Sequence, residues 1–265
     1  MPVQIFPAEI FDLFVDQLGW AIEVPESRTA LLACTLVNKQ FYRRATPYIF
    51  SSLSISIIHS ESQKNLDDLH DFLNANPDIA QCIRSFTVEA PSRFEIHWES
   101  LHVVLKQLSL LQKFEWISQL QFYGRFHSDT HFSMMENLFV DLPSLTAFHL
   151  ENVLHLPLSF FSGIWNLNLK SLSLVNVRFA EIRADALLGS LFSSLEKLEV
   201  TSELLSWSDE DVEAVQKIMV CAAPTLTMLR LILFKTMFMS CEFFCNFLTL
   251  LALIDLFIKL LVDSF

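Results

Sequence analysis

His127 and His131 stand four residues apart, a spacing that could put two imidazoles on one helix face and hold a metal ion. Only Asp129 could join them, and Gly124 and Ser128 mark the stretch as a loop, so they read as two loop histidines. Cys241 and Cys245 share that spacing inside an apolar run, where thiols act as small hydrophobes. Asp67-Asp68 and Asp209-Glu210-Asp211 read as solvated helix surface or as charge suited to a helix N-terminus. Lys39, Arg43 and Arg44 form a basic corner, either favourable charge near a helix C-terminus or a contact for an acidic partner. No Gly-x-Ser-x-Gly, His-Glu-x-x-His or phosphate-loop pattern occurs. No catalytic residue, metal or cofactor is expected, and the chain does not read as an enzyme.

The composition narrows the classes further. With 265 residues, 52% hydrophobic and 18% charged, the chain can bury a core and is not disordered. Only 4 glycines are present, too few for loops whose backbone must approach a phosphate. The formal charge of -12 repels nucleic-acid phosphates, so no nucleic acid is expected as a partner. The 5 cysteines are odd in number and lack framework spacing, no Asn-x-Ser/Thr acceptor occurs, and Glu9, Asp12 and Asp16 stand where a signal peptide would be basic. The expected compartment is cytoplasmic or nuclear.

Residues 1–50 read as three helices. Ile10, Leu13, Phe14 and Leu18 recur at helical spacing after Pro7, with Gly19 expected to close the first helix. Ser27 is the candidate N-cap of a second helix, 28–37, and a third, 39–46, is expected to end before Pro47. Residues 51–82 read as a linking strand, on Leu53, Ile55 and Ile57, and a helix carrying Leu66, Leu69 and Leu73.

Across 83–234 one pattern recurs, apolar-x-x-apolar-x-apolar, starting at Ile83, Ile117, Leu145, Leu169, Leu195 and Leu226. Helical stretches lie between: 98–108, 182–191 and 209–222, the last preceded by Ser208 with Asp211 in the positions of a capping box. Alternating strand and helix over six copies predicts parallel strands stacked side by side. The pattern resembles irregular leucine-rich repeats. That family places Asn or Cys three residues after the last strand leucine; here Pro91, Arg125, Val153, Val177, Glu203 and Phe234 occupy those places, so its polar ladder is expected to be missing. The expected fold class is α/β, an N-terminal three-helix unit followed by an irregular leucine-rich-repeat solenoid with parallel strands.

The helical segment resembles an F-box, in Phe6-Pro7-Ala8-Glu9-Ile10-Phe11 with Leu13, Phe14, Val15 and Leu18, and again in the stretch from Leu31 to Phe41. Phe6 stands for the usual Leu, Phe41 for the usual Trp, and the 19–27 loop is long. The stretch 45–53 is similar to the linker of the large F-box families of mushroom-forming fungi. The resemblance implies docking on a Skp-type adaptor, and through it a cullin, as the target-recruiting subunit of an SCF-type ubiquitin ligase. The adaptor-binding residues it implies are Phe6, Pro7, Ile10, Phe11, Phe14, Leu32, Leu36, Val37 and Phe41. A unit of about 45 residues cannot hide all of these, and an exposed apolar patch marks an interface.

Residues between the repeat leucines point away from the core and form the expected surface for an unidentified target protein: Tyr123, His149, Glu151, Ser173, Glu199 and Arg230, with Thr87, Glu89, Gln121, Val175 and Thr201 among them. The alternatives are a repeat-based interaction scaffold outside any ligase, its helices capping the solenoid, or a membrane-associated protein held by its tail. Residues 235–265 are apolar, but the uncharged run 243–254 is short of the ~20 residues that span a bilayer. The tail is therefore expected to cap the last repeat, with a membrane-surface helix and a chain end without a role as the other readings.

Overall fold

The computed structural model describes residues 8–57, 62–90, 98–118, 142–154, 156–158, 160–161, 168–179, 192, 194–202 and 208–233. Helix α1 (Ala8–Trp20) carries Glu9 in its first turn, where a carboxylate meets the positive end of the helix dipole. Helix α2 (Pro25–Thr35) starts earlier than the Ser27 cap predicts. Pro25 sits in its first turn, where its missing N–H has no intrahelical partner to lose, and Val24 offers no side-chain cap. Helix α3 (Lys39–Ile49) is capped by Asn38, whose Oδ1 accepts from Gln40 N at 2.9 Å and Phe41 N at 3.0 Å. It runs through Pro47 rather than stopping before it. Proline so near a helix end removes one hydrogen bond, and burial of Ile49 in the small core offsets that loss.

These helices enclose Val15, Leu31, Cys34, Ala45 and Ile49. Gly19 lies inside α1, not beyond its end, and its lack of a side chain serves a close approach: a Cβ there would lie 2.3 Å from Tyr48 Cδ1.

The described residues beyond α3 form, in chain order, β1 (Ser52–Ser56), α4 (Ser62–Ala75), α5 (Pro77–Ala80), β2 (Ser85–Ala90), α6 (Trp98–Gln107), β3 (Lys113–Ser118), β4 (Ala147–Glu151), β5 (Ser171–Val175), β6 (Lys197–Ser202), α7 (Asp209–Ala222) and β7 (Met228–Leu233). The strands form one sheet in chain order, with every neighbouring pair parallel. The fold is α/β: a three-helix unit followed by seven consecutive parallel strands in a leucine-rich-repeat-like arc. β1 belongs to this sheet, so the linking strand is its first member.

One backbone device repeats at the start of the strands. Arg84 N donates to Ser51 O, Gln112 N to Arg84 O, Thr146 N to Gln112 O, Lys170 N to Thr146 O, Glu196 N to Lys170 O and Thr227 N to Glu196 O, all at 2.7–2.9 Å. Before these rungs the chain makes a tight turn that buries the leading apolar residue, as where Leu111 N donates to Leu108 O and Leu145 N to Leu142 O.

That turn corrects the second of the six copies, which lies on β3. It reads Leu111-x-x-Phe114-x-Trp116, not Ile117-x-x-Leu120-x-Phe122. Apolar alternation runs on from 114 to 122, so the period alone cannot say where the strand begins. Phe114 and Trp116 face the core, and Ile117 faces outward.

The inward row is aromatic at its centre. Phe86, Phe114 and Phe148 are register partners with ring centroids 6.1 and 6.0 Å apart, and Phe160, Phe161 and Phe192 continue the series.

A polar ladder is also present, one position earlier than expected. Asn152 and Asn176 stand two residues after Leu150 and Leu174, with φ of 59° and 52°. Asn152 Nδ2 donates to Ser118 O at 2.9 Å and Asn176 Nδ2 to Asn152 Oδ1 at 3.0 Å. The backbone N–H groups of Asn152 and Asn176 donate to Val175 O and Thr201 O. Asn tolerates the left-handed conformation better than other side-chain-bearing residues, which is why it fits where the strand must turn.

Candidate partner-docking surfaces

The three-helix unit carries apolar side chains on its outside. Ile10, Phe11 and Phe14 on α1 are exposed, together with Leu13, and so is Leu32 on α2. Leu36 and Val37, just beyond α2, are 87% and 65% exposed. Phe41 is half-buried, its ring edge-on to Phe11 with centroids 5.3 Å apart. Phe6 and Pro7 lie outside the described residues. Of the nine expected adaptor contacts, six therefore face solvent and one bridges surface and core.

The basic corner divides. Lys39 and Arg43 are exposed, but Arg44 is engaged within the unit. Its Nε and Nη2 donate to Asp16 Oδ1 and Oδ2 at 2.8 and 2.5 Å, and Tyr48 Oη donates to Asp16 Oδ1 at 3.0 Å. The Arg44 hydrogen bonds hold the Asp16 carboxyl below its ordinary range. Arg44 thus ties α3 to α1, a role that neither reading of the basic corner contained.

On the sheet, register sets the outward residues in rows. Ser54, Thr87, Glu115, His149, Ser173, Glu199 and Arg230 form one row across all seven strands. Glu89, Ile117, Glu151, Val175 and Thr201 lie two residues further along. Tyr123 and Gln121 lie outside the described residues. Glu115 and Ile117 occupy the outward β3 positions that the shifted repeat assigns to Gln121 and Tyr123, and the Leu111-Phe114-Trp116 reading of the same pattern points to them.

Neighbours in these rows neutralise one another. Thr87 Oγ1 donates to Glu115 Oε2 at 2.6 Å, and Lys113 Nζ lies 2.6 Å from Glu115 Oε1. Burial pushes the Glu115 carboxyl up, but the bonds from Lys113 and Thr87 outweigh it and the net displacement is downward. Arg230 Nη1 donates to Glu199 Oε1 at 2.9 Å. His149 Nδ1 lies 2.9 Å from Ser173 Oγ, and its Nε2 lies 3.5 Å from Glu151 Oε2. The order Ser, His, Glu is that of a nucleophile with its base and orienting carboxylate. It lies across β4 and β5, whose backbone amides among the described residues serve the sheet ladder. Chemically, the face offers a fixed mosaic of hydrogen-bond donors, acceptors and compensated charge.

Among the described residues no group of His, Cys, Asp or Glu could hold a metal ion, and no helix is long and apolar enough to cross a membrane. His127, His131, Cys241, Cys245 and the tail 235–265 lie outside them, as does the helical stretch 182–191. Asp211 departs from the solvated reading of its acidic run. Its side chain is buried at the start of α7, where Oδ2 accepts from Arg178 Nη1 at 2.6 Å and Oδ1 from Phe179 N at 2.7 Å. It also completes the capping box with Ser208.

Searches against protein-family models and against curated proteins each found no match to the chain.

Proposed function

We propose that the chain recruits targets to an SCF-type ubiquitin ligase. In this reading the three-helix unit docks on a Skp-type adaptor, and through it a cullin, while the outward sheet rows hold the target protein. The chain itself performs no chemistry, and it acts in the cytoplasm or nucleus.

The observation that supports this best is the outward apolar face of the helical unit, with Ile10, Leu13, Phe14, Leu32, Leu36 and Val37 exposed. Full burial of such a side chain is worth roughly 1.5–3 kcal/mol, and most of these are already half covered, so each adds on the order of 1 kcal/mol when an interface covers the rest, and the patch favours a protein partner. A unit that merely capped the solenoid would merge its core with that of the sheet. Here Val15, Leu31, Cys34, Ala45 and Ile49 form a cluster of their own.

Co-expression of the full chain with a Skp-type adaptor tests the proposal. A stable complex is expected, and Ile10→Asp should weaken it by about 100-fold or more, because an unpaired carboxylate in an apolar interface costs about 3 kcal/mol or more. Absence of a complex with the parent chain, or equal binding by Ile10→Asp, sinks the proposal.

A further inference from the structure

Helix α1 is apolar around most of its circumference. At about 100° per residue, Phe11, Val15 and Leu18 share one side, and Ile10, Leu13 and Phe14 share another about a third of a turn away. The first set lies on the core side: Val15 is buried, Leu18 lies against the small core, and Phe11 keeps one ring edge in solvent while it meets Phe41. The second set is exposed. Each set contains one Phe, one Leu and one β-branched residue, so burial of apolar area does not decide which goes in.

Two other residues of α1 do decide. Asp16 receives both the Arg44 guanidinium and the Tyr48 hydroxyl. Gly19 leaves the space that the Tyr48 ring fills, since a Cβ there would come within 2.3–2.6 Å of three of its atoms. Turning α1 to bury Ile10, Leu13 and Phe14 would pull Asp16 from both partners and move the one gap without a side chain away from Tyr48. A polar contact that is met in only one arrangement selects between packings that burial leaves nearly equal.

We infer that Asp16 and Gly19, both engaged by Tyr48, form an orientation lock that keeps Ile10, Leu13 and Phe14 facing outward. Asp16 is thus a positioning residue for the docking face. That this face serves an adaptor rests on the proposed function; the lock itself does not.

Single-site thiol labelling of the folded full chain tests the lock, with site-specific peptides read by mass spectrometry so that native cysteines do not interfere. In the parent background Ile10→Cys should label about tenfold or more faster than Val15→Cys. Adding Asp16→Leu should reverse that order, and Arg44→Gln should shift it in the same direction. Asp16→Arg combined with Arg44→Asp should restore it. An unchanged order overturns the inference. So does fast labelling at both sites, as in urea, because the contact would then matter for stability alone. If the labelling behaves as expected and the parent chain binds no adaptor, only the proposed function fails.

Discussion

Asn176 donates its side-chain amide to the side-chain oxygen of Asn152 across neighbouring strands, at 3.0 Å. Both residues hold positive φ, so each meets a backbone demand and a hydrogen-bonding demand at once. The two demands separate by substitution. Asn152→Ala keeps the φ of 59° without the amide and should cost about 2 kcal/mol, from lost bonds to Ser118 and Asn176 plus backbone strain. Asn152→Gly relieves the strain and should cost about half as much. Urea denaturation of the two variants checks the order, and equal costs would mean that conformation contributes nothing.

Asp211 holds two distant parts of the chain together. Its carboxylate meets Arg178 and the Phe179 amide in the chain that follows β5, while capping α7 through Ser208. Asp211→Ala should cost about 3–5 kcal/mol, since it strands a half-buried guanidinium and a buried N–H. Asp211→Asn keeps an acceptor and should cost about 1–2 kcal/mol. Ser208→Ala removes only the cap and should cost about 1 kcal/mol. Comparing the three midpoints separates the capping role from the long-range one.

The phenylalanine row gives a packing prediction. Phe114 is fully buried between Phe86 and Phe148, on the third of seven strands. Phe114→Ala should destabilise the fold by about 3–5 kcal/mol through lost transfer energy and the cavity left behind. Phe114→Leu should lose less than half of that. Urea denaturation of the two variants checks the order.

Acid unfolding has a sign that follows from Asp16. The Arg44 hydrogen bonds depress its folded-state pKa below the unfolded value of about 3.9. Its stabilising contribution is therefore fully present above that value and is lost as pH falls through the lower, folded one. Melting temperature against pH should show Asp16→Asn below the parent near pH 5, with the two curves converging as pH drops below about 4. Parallel curves across that window would contradict the assignment.

The residue types alone made much of this legible. Period-2 runs led by Ile83, Leu145, Leu169, Leu195 and Leu226 place five of the seven strands, and a period switch at 53–57 marks β1. Ser208 and Asp211 announced the start of α7 because capping is local: donor and acceptor are three residues apart. The surplus of apolar residues in a small helical unit also told in advance that some must face out, since surface grows relative to volume in a small domain.

Other features depended on contacts between residues far apart in the chain. The alternation from 114 to 122 fits two strand positions equally well, and pairing to β2 and β4 chose the earlier one. The polar ladder is not legible in the sequence because its asparagines sit one position early, and only the neighbouring strands give them partners. By sequence Arg44 reads as charge near a helix C-terminus or for an acidic partner, and only the packing of α1 brings Asp16 to it; Gly19 reads as a helix end, and only the fold sets Tyr48 over it. Periodicity and capping act over one to four residues, so the sequence alone determines them. Register, ion-pair choice and close approach are differences between competing long-range packings, and those become unequal only when the whole chain is folded.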